Sequence, residues 1–285
     1  MRMALDIRRR RRLWNMFHLS ISVLTTALAL AFLGWLLWTL LARGLARFDW
    51  DLFIQDTPGP GDAAGGMRNA IVGSLLLTGF GVLMGAPLGV LTGTYLAEFG
   101  RHHWLAKVIR FVNDVLLSAP SIVIGVFVYE LMVIGMGHFS GWAGAVALAI
   151  IVVPVVVRTS EDMMRLVPDA MREAAAALGA PQWRIVVAIV WKAALSGIAT
   201  GILLAIARIA GETAPLLFTA LNNQFFSLDM NQPIANLPVM IFNFAMGPYE
   251  NWHGLAWAAS LLITLAVLGL NILARLALGS RAKRS

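Results

Sequence analysis

The chain has 285 residues, of which 59% are hydrophobic and only 13% are charged, and its mean hydropathy is +0.76. So few charged side chains cannot give a globule of this size a polar surface, which excludes a water-soluble protein and places the chain in a lipid bilayer. The formal charge of +7 does not indicate nucleic-acid binding, because the basic residues lie at the ends of apolar segments and form no single patch.

The first apolar segment, residues 16–42, follows a basic run at residues 8–12, as the core of a signal peptide would. A cleaved signal has an apolar core of about 7 to 15 residues. This segment is much longer and continues into Arg43 without a small-residue cleavage site. We therefore expect an uncleaved first transmembrane helix.

Stretches of about 20 apolar residues predict six transmembrane helices in an all-α, polytopic membrane protein. They occupy residues 16–42, 70–97, 109–135, 141–157, 196–219 and 254–278. No internal repeat is evident, so we predict one transmembrane domain over residues 1–285. The apolar piece 237–246 is too short to span, and it either lies in the membrane interface, re-enters the membrane or packs as an ordinary surface loop.

The distribution of basic residues predicts the orientation, because Lys and Arg resist translocation. Eighteen of the 22 lie in the segments 1–15, 98–110, 158–195 and 275–285, which face the same side if the six helices alternate in direction. The opposite side holds only Arg43, Arg47 and Arg68. Both termini are therefore predicted to be cytoplasmic.

Glycines of the second predicted helix are spaced by multiples of four residues, which places them in one stripe. They are Gly73, Gly81, Gly85, Gly89 and Gly93. In lipid such a stripe lets two helix backbones approach closely, so we expect a packing seam, which would also suit a moving gate. Pro87 predicts a kink beside it.

The fifth predicted helix carries small residues, one cation, one anion and a proline at steps of three or four, on one face: Gly197, Gly201, Ala205, Arg208, Glu212, Pro215 and Thr219. Arg208 lies twelve residues into this helix, roughly 18 Å deep and near the bilayer midplane. An arginine there costs at least about 2.5 kcal/mol, and intramembrane charges usually mark a pathway.

Two interpretations of this pair stay open. Glu212 could neutralise Arg208 and the pair could simply hold neighbouring helices together. Alternatively, Arg208 contacts an anion in transit and Glu212 is its resting partner, since a guanidinium can form bidentate hydrogen bonds with an oxyanion. Gly211 and Pro215 loosen the helix beside the pair, which predicts a bend that could act in gating.

The cytoplasmic loop 158–195 contains a predicted helix of about ten residues. Pro168 and Asp169 start it, and Gly179 followed by Pro181 ends it. Its apolar side is formed by Met171, Ala174, Ala175 and Leu178. This helix either inserts in a groove of a partner or packs on the membrane surface.

The string Glu173-Ala174-Ala175-Ala176-Ala177-Leu178-Gly179, followed by Ile189, resembles the EAA loop of binding-protein-dependent ABC importers. The resemblance implies a type I importer permease fold and a coupling role for Glu173, Ala174, Ala175 and Gly179, whose helix would dock on a cytoplasmic ATPase. The family pattern usually ends in Leu-Pro, where this chain has Trp191-Lys192.

Three further strings resemble the PstA-type membrane subunits of phosphate importers, over a core of about residues 67–278. They are residues 93–98 (GTYLAE), 118–123 (SAPSIV) and 207–215 (ARIAGETAP). This resemblance implies that Arg208 is a translocation residue for inorganic phosphate.

The resemblance also implies the setting of the chain. It would be a multi-pass permease subunit of the bacterial inner membrane, paired with a similar second permease, a cytoplasmic ATPase dimer and an extracytoplasmic phosphate-binding protein. The chain has no phosphate-binding Gly-x-x-x-x-Gly-Lys-Ser/Thr loop, so we expect no enzyme activity or cofactor of its own, with ATP and Mg²⁺ bound by the ATPase.

Other functions remain to be separated. The chain could import another oxyanion, such as sulfate or molybdate, or could be an ion-coupled secondary transporter with Arg208 and Glu212 as its coupling site, although no inverted repeat supports the latter. Neither a catalytic set nor a metal site is predicted: the five histidines lack metal-ligand spacing, and cysteine is absent.

Overall fold

The computed structural model describes residues 2–62, 64–100 and 103–282, with side chains described from residue 11 to residue 272. Every regular element within these ranges is a helix. In chain order they are α1 (Arg2–Leu45), α2 (Asp51–Ile54), α3 (Arg68–Thr94), α4 (Trp104–Ser118), α5 (Ser121–Val128), α6 (Ile134–Met136), α7 (Gly141–Arg165), α8 (Asp169–Ala177), α9 (Gln182–Ile185), α10 (Trp191–Ile209), α11 (Ala214–Thr219), α12 (Leu237–Met246) and α13 (Glu250–Ala282). Three π-helical turns, Tyr95–Phe99, Tyr129–Val133 and Val186–Val190, continue α3, α5 and α9.

Five helical segments are long and apolar enough to cross a membrane: Arg11–Leu45, Arg68–Phe99, Gly141–Arg165, Gln182–Ile209 and Glu250–Ile272. The number rises to six if Trp104–Ser118 and Ser121–Met136 together form one bent span. The predicted all-α membrane fold is confirmed. The predicted number of six spans agrees with the structure when the bent pair is counted as one span.

The third predicted helix is wrong as a continuous element. The chain bends by 105° between Trp104–Ser118 and Ser121–Met136. Ala119 and Pro120 between them have extended backbone, with ψ of 133° at both residues. A proline disfavours helical backbone at the residue before it and has no N–H for the helical ladder, so the helix stops there.

The fifth predicted helix is wrong at both ends. The helical span begins at Gln182, well before the predicted residue 196, and ends at Ile209. Residues 210–213 are not helical, and α11 starts a separate short helix with Pro215 in its first turn. A proline is accepted in a first turn, where no N–H is required, whereas inside a helix it removes one hydrogen bond of the helical ladder. The predicted single face through Glu212 and Pro215 therefore does not exist.

The centre of the bundle is the seam between α3 and α7. A Cβ added at Gly85 would lie 2.9 Å from the Val152 Cβ, and one at Gly89 would lie 2.7 Å from the Val156 Cβ. These contacts confirm that the glycine stripe is a packing seam. Because residue numbers rise together along both helices, α3 and α7 run parallel, as the alternating six-helix topology requires.

The small face of α10 packs on the other side of α7 in the opposite direction. Gly197 faces the Met163 side chain and Gly201 faces Thr159. In contrast, α1 lies at the edge of the bundle, and the apolar window of its span has no buried residue. It contacts α13 near its own C-terminal end, where a Cβ on Gly44 would lie 2.7 Å from the Leu261 Cβ.

Asn69, at the start of α3, joins the segment between α2 and α3 to the segment between α11 and α12. Its Oδ1 accepts a hydrogen bond from the Thr57 hydroxyl (2.7 Å), and its Nδ2 donates to the Asn223 carbonyl (2.8 Å). The short apolar piece 237–246 is the helix α12, which packs against α13 and the outer part of α3. These contacts attach the segments at this end of the bundle to α3 and α13.

Candidate functional site

Arg208 is the penultimate residue of α10, and α10 ends inside the bundle. The next residue, Ile209, is buried in the central cluster with Leu148 and Val152 of α7. Arg208 itself is exposed. Its guanidinium forms no ion pair or hydrogen bond with any side chain that the structure describes. An exposed cation without a described partner thus lies at the end of α10, next to the buried core.

Glu212 lies in the non-helical segment that follows. Its backbone N–H donates to the Ile209 carbonyl (3.2 Å), while its half-buried carboxylate has no partner among the described residues. The sequence interpretation made Glu212 the resting partner of Arg208 on one helical turn. The structure does not pair them, because α10 ends at Ile209 and the two residues are no longer on one helix.

The segment after Arg208 is fixed by α11, which packs on α5. A Cβ added at Gly125 would lie 2.7 Å from the Pro215 Cα and 3.2 Å from its carbonyl oxygen. Pro215 is therefore a buried anchor, whereas Gly211 is exposed with open space around it. The two predicted gating residues do lie at a break in the helix. Gly125 was missed, because the sequence gives no sign of which helix its face contacts.

The predicted coupling loop, residues 158–195, contains the predicted helix, α8, which begins after Pro168 and ends at Ala177. Gly179 has φ of +81°, the left-handed region that favours glycine. The N–H groups of Gly179 and Ala180 donate to the carbonyls of Ala176 (2.9 Å) and Ala175 (3.2 Å), which completes a C-terminal cap. No atom lies within 4 Å of a Cβ added at Gly179. Gly179 is thus required by the backbone and not by a contact.

The predicted apolar side of α8 divides into two faces. Ala175 is buried against the bundle. Met171 and Leu178 are 45% and 89% exposed, and Glu173 and Ala174 are exposed beside them. An apolar surface that faces away from the bundle at a loop is typical of a protein interaction site.

The inner face of α8 is attached to the end of α3 by an ion pair that sequence reasoning missed. The Arg172 Nη2 lies 2.7 Å from Glu98 Oε1, and Arg172 Nε donates to Oε2 at 3.1 Å. Their side chains are only 14% and 6% exposed. The hydrogen bond with Glu98 is the main cause that raises the pKa of Arg172; burial opposes it, and the charges of Glu98 and Asp169 add smaller increases. The guanidinium therefore stays charged at physiological pH.

A second polar contact attaches the other arm of the loop. The Trp191 indole N–H donates to the Thr94 hydroxyl (3.0 Å), and that hydroxyl donates to the Val90 carbonyl (2.7 Å). Trp191 stands where the resembled pattern has leucine. Trp191 in place of leucine is thus compatible with a loop end that is hydrogen-bonded to the α3 span.

Comparison with known proteins places this geometry in a family. The profile described as "Binding-protein-dependent transport system inner membrane component" matches residues 85–282. The chain is 56% identical to the phosphate transport system permease protein PstA of Yersinia pestis, over 95% of this chain and 93% of the relative. It is 55% identical to PstA of Pasteurella multocida, over 96% and 97%. The chain belongs to the PstA family of these permeases.

The fold of this PstA-family chain also occurs in solved transporters. One similar structure is a crystal structure of a bacterial alginate ABC transporter in complex with an alginate pentasaccharide-bound periplasmic protein. The TM-score is 0.65 at 15% sequence identity, and the match covers 96% of each chain. The predicted ABC importer permease fold is confirmed, and the chain is an inner-membrane transport component.

All candidate residues of this PstA-family chain lie within residues 85–282, which the family profile matches. One continuous helical span joins the coupling loop to Arg208. The helical span Gln182–Ile209 begins within the coupling loop and has Arg208 as its penultimate residue. The end of the bundle that holds the coupling loop also contains Glu161, whose side chain is 4% exposed and pairs with Arg110 (2.8 Å) and Arg165 (2.7 Å). Within the described residues, no group of three His, Cys, Asp or Glu could hold a metal ion.

Proposed function

We propose that this chain is the membrane-spanning permease subunit of an ATP-driven inorganic phosphate importer, with Arg208 in the translocation pathway. The observation that carries the proposal is an exposed, unpaired arginine at the end of α10, in a chain 56% identical to a PstA protein. A buried structural arginine would be paired, because leaving its charge without a partner is costly. An arginine that binds a transient anion must be free between binding events.

The chemistry of Arg208 and Glu212 favours phosphate over other oxyanions. The planar guanidinium can donate two parallel hydrogen bonds to one oxyanion. Glu212 offers a carboxylate, which accepts hydrogen bonds but cannot donate them when ionised. Hydrogen phosphate has a protonated oxygen that can donate to this carboxylate, whereas sulfate at neutral pH has none. Both side chains together therefore suit phosphate, and Glu212 discourages sulfate.

We propose that the energy for transport reaches the permease through α8. Its outward face, formed by Met171, Ala174 and Leu178, docks on a cytoplasmic ATPase that binds ATP and Mg²⁺, and Glu173 adds a charged contact. We propose that the ATPase is a dimer, that a similar second permease completes the pathway, and that an extracytoplasmic phosphate-binding protein delivers the anion. The excess of basic residues on one side supports a cytoplasmic position for both termini and for α8.

Uptake measurements test the proposed substrate and energy source. Cells that lack their own phosphate transport and express this chain with its partner subunits are expected to accumulate labelled phosphate. A tenfold excess of sulfate should leave that uptake unchanged, and an uncoupler applied at constant ATP should not abolish it. Competition by sulfate would indicate a different oxyanion, and collapse with the uncoupler would indicate a secondary transporter. In the Glu212→Gln variant, competition by sulfate should increase.

The docking role of α8 is tested by a bulky charge on its outward face. Ala174→Arg is expected to reduce co-purification of the ATPase at least about tenfold, because an unpaired charge buried in an interface costs several kcal/mol. The amount and melting temperature of the permease should not change, since Ala174 is exposed. The matched control is Ala46→Arg, also at an exposed alanine but on the outer side. Normal ATPase recovery with Ala174→Arg would contradict the docking role.

A further inference from the structure

We infer that Arg172 and Glu98 are positioning residues that transmit movement of α8 to the α3–α7 core, with Trp191 and Thr94 as a second attachment. The inference rests on the proposed function, in which α8 docks on the ATPase. It concerns the opposite, inward face of α8, to which the resemblance assigns no role. The two faces of this short helix thus have separate tasks.

The ion pair between Arg172 and Glu98 has a geometry that can transmit movement. Two parallel hydrogen bonds join the Arg172 guanidinium to the Glu98 carboxylate, at 2.7 and 3.1 Å. A bidentate pair fixes an angle as well as a distance, so it can transmit rotation, which a single point contact cannot. Because both side chains are largely buried, salt screens the pair only weakly.

Arg172 joins α8 to both helices of the core, α3 and α7. Its Nη2 donates to the Met164 carbonyl (2.8 Å) and its Nη1 to the Val167 carbonyl, at the end of α7. Glu98 lies in the π-helical turn that ends the α3 span. Since α3 and α7 are packed along their glycine seam, a displacement of α8 would move both helices as one body.

The coupling loop is attached to the α3 span both before and after Gly179. Arg172 lies on the arm before Gly179, and Trp191 lies on the arm after it. Their partners, Glu98 and Thr94, are one turn apart on the same span. A leucine or proline side chain has no N–H, so the resembled Leu-Pro ending could not donate the bond that Trp191 makes to Thr94. Two attachments one turn apart prevent the loop from pivoting about either one.

The first test measures coupling with the complete complex in proteoliposomes. Glu98→Gln preserves the size of the side chain and removes its charge. The ATPase should still co-purify, because the outward face is untouched, while phosphate transported per ATP hydrolysed should fall at least about tenfold. The matched control is Asp56→Asn, which alters another bidentate pair, with Arg68, at the outer side. The control should keep the wild-type ratio.

The second test measures rigidity directly. The chain has no cysteine, so spin labels can be placed on Ala177→Cys and Phe99→Cys without background labelling. The distance between the labels should be the same in the nucleotide-free and ATP-bound complexes. In the Glu98→Gln background it should broaden and differ between the two states. Trp191→Phe, which removes the indole N–H and one of the two fused rings but keeps an aromatic side chain, should lower the transport ratio about threefold.

The outcomes separate this inference from the proposed function. Failure of the wild-type chain to retain an ATPase would remove the proposed function itself. If the ATPase is retained but both Glu98→Gln and Trp191→Phe keep the wild-type transport ratio and label distance, the inference is overturned. Loss of ATPase binding in Glu98→Gln would overturn it as well, since the pair would then shape the docking face. If Glu98→Gln does not fold, the label distances and transport ratio of Trp191→Phe decide the question.

Discussion

Arg208→Met is expected to lower phosphate uptake at least about 100-fold while the importer assembles normally. Methionine retains an unbranched stem but removes the guanidinium, and a hydrogen bond to a charged group contributes about 1.5–3 kcal/mol. Loss of two such bonds at the anion would reduce binding in the pathway by two orders of magnitude or more. Assembly should persist because Arg208 is exposed and has no partner among the described side chains. The measurement is initial uptake of labelled phosphate in membranes with matched permease content.

Two further variants sharpen this prediction. Arg208→Lys keeps a positive charge but loses the planar fork, so it should retain a small part of the uptake. Arg158→Ala is the control, because Arg158 is also an exposed arginine but lies in the C-terminal half of α7, in surface ion pairs with Asp162 and Asp114. Such pairs contribute little, so uptake should be close to wild type. Wild-type uptake by Arg208→Met would exclude Arg208 from the pathway.

Gly85→Leu is expected to prevent stable folding of the chain. A Cβ alone would lie 2.9 Å from the Ala149 carbonyl oxygen and from the Val152 Cβ. Because a carbonyl oxygen belongs to the α7 backbone, the two helices must separate, and overpacking of this kind costs about 1–3 kcal/mol or more. The permease should disappear from the membrane fraction, or its detergent-solubilised form should melt at a lower temperature.

The same helix offers a matched control for this substitution. Gly79 also lies within α3, but no atom lies within 4 Å of a Cβ placed there. Gly79→Leu should therefore leave the amount of permease and its melting temperature unchanged. Equal behaviour of the two variants would mean that the α3–α7 seam does not determine stability.

The sequence predicts the fold best where hydrophobicity and local capping decide it. Apolar length located the membrane segments, and Pro168 with Gly179 bounded α8 correctly. The errors at 109–135 and 196–219 have one cause: a run of apolar residues reports the environment of a segment and not the path of its backbone. Pro120 stops the helix at the bend within an apolar run, whereas α10 already ends at Ile209 and Pro215 lies in the first turn of the next helix, α11.

The site was predictable only in part. The cost of burying a charge singled out Arg208 from the sequence, and the structure places it at a helix end in open space. Its pairing with Glu212 required an unbroken helix, which the structure does not contain. The contact between Glu98 and Arg172 joins residues 74 positions apart in the chain. Local spacing cannot predict such a contact, because it depends on how α3, α7 and the loop meet in three dimensions.

The unbroken course of the span Gln182–Ile209 has a mechanical consequence. With 28 residues at about 1.5 Å each, it is a lever arm of about 42 Å, with the coupling loop at its base and Arg208 near its tip. A tilt of about 10° at the base would displace the tip by about 7 Å. That displacement exceeds the diameter of a phosphate ion. A small rotation at the Gln182 end would therefore displace the guanidinium by more than the width of such an anion.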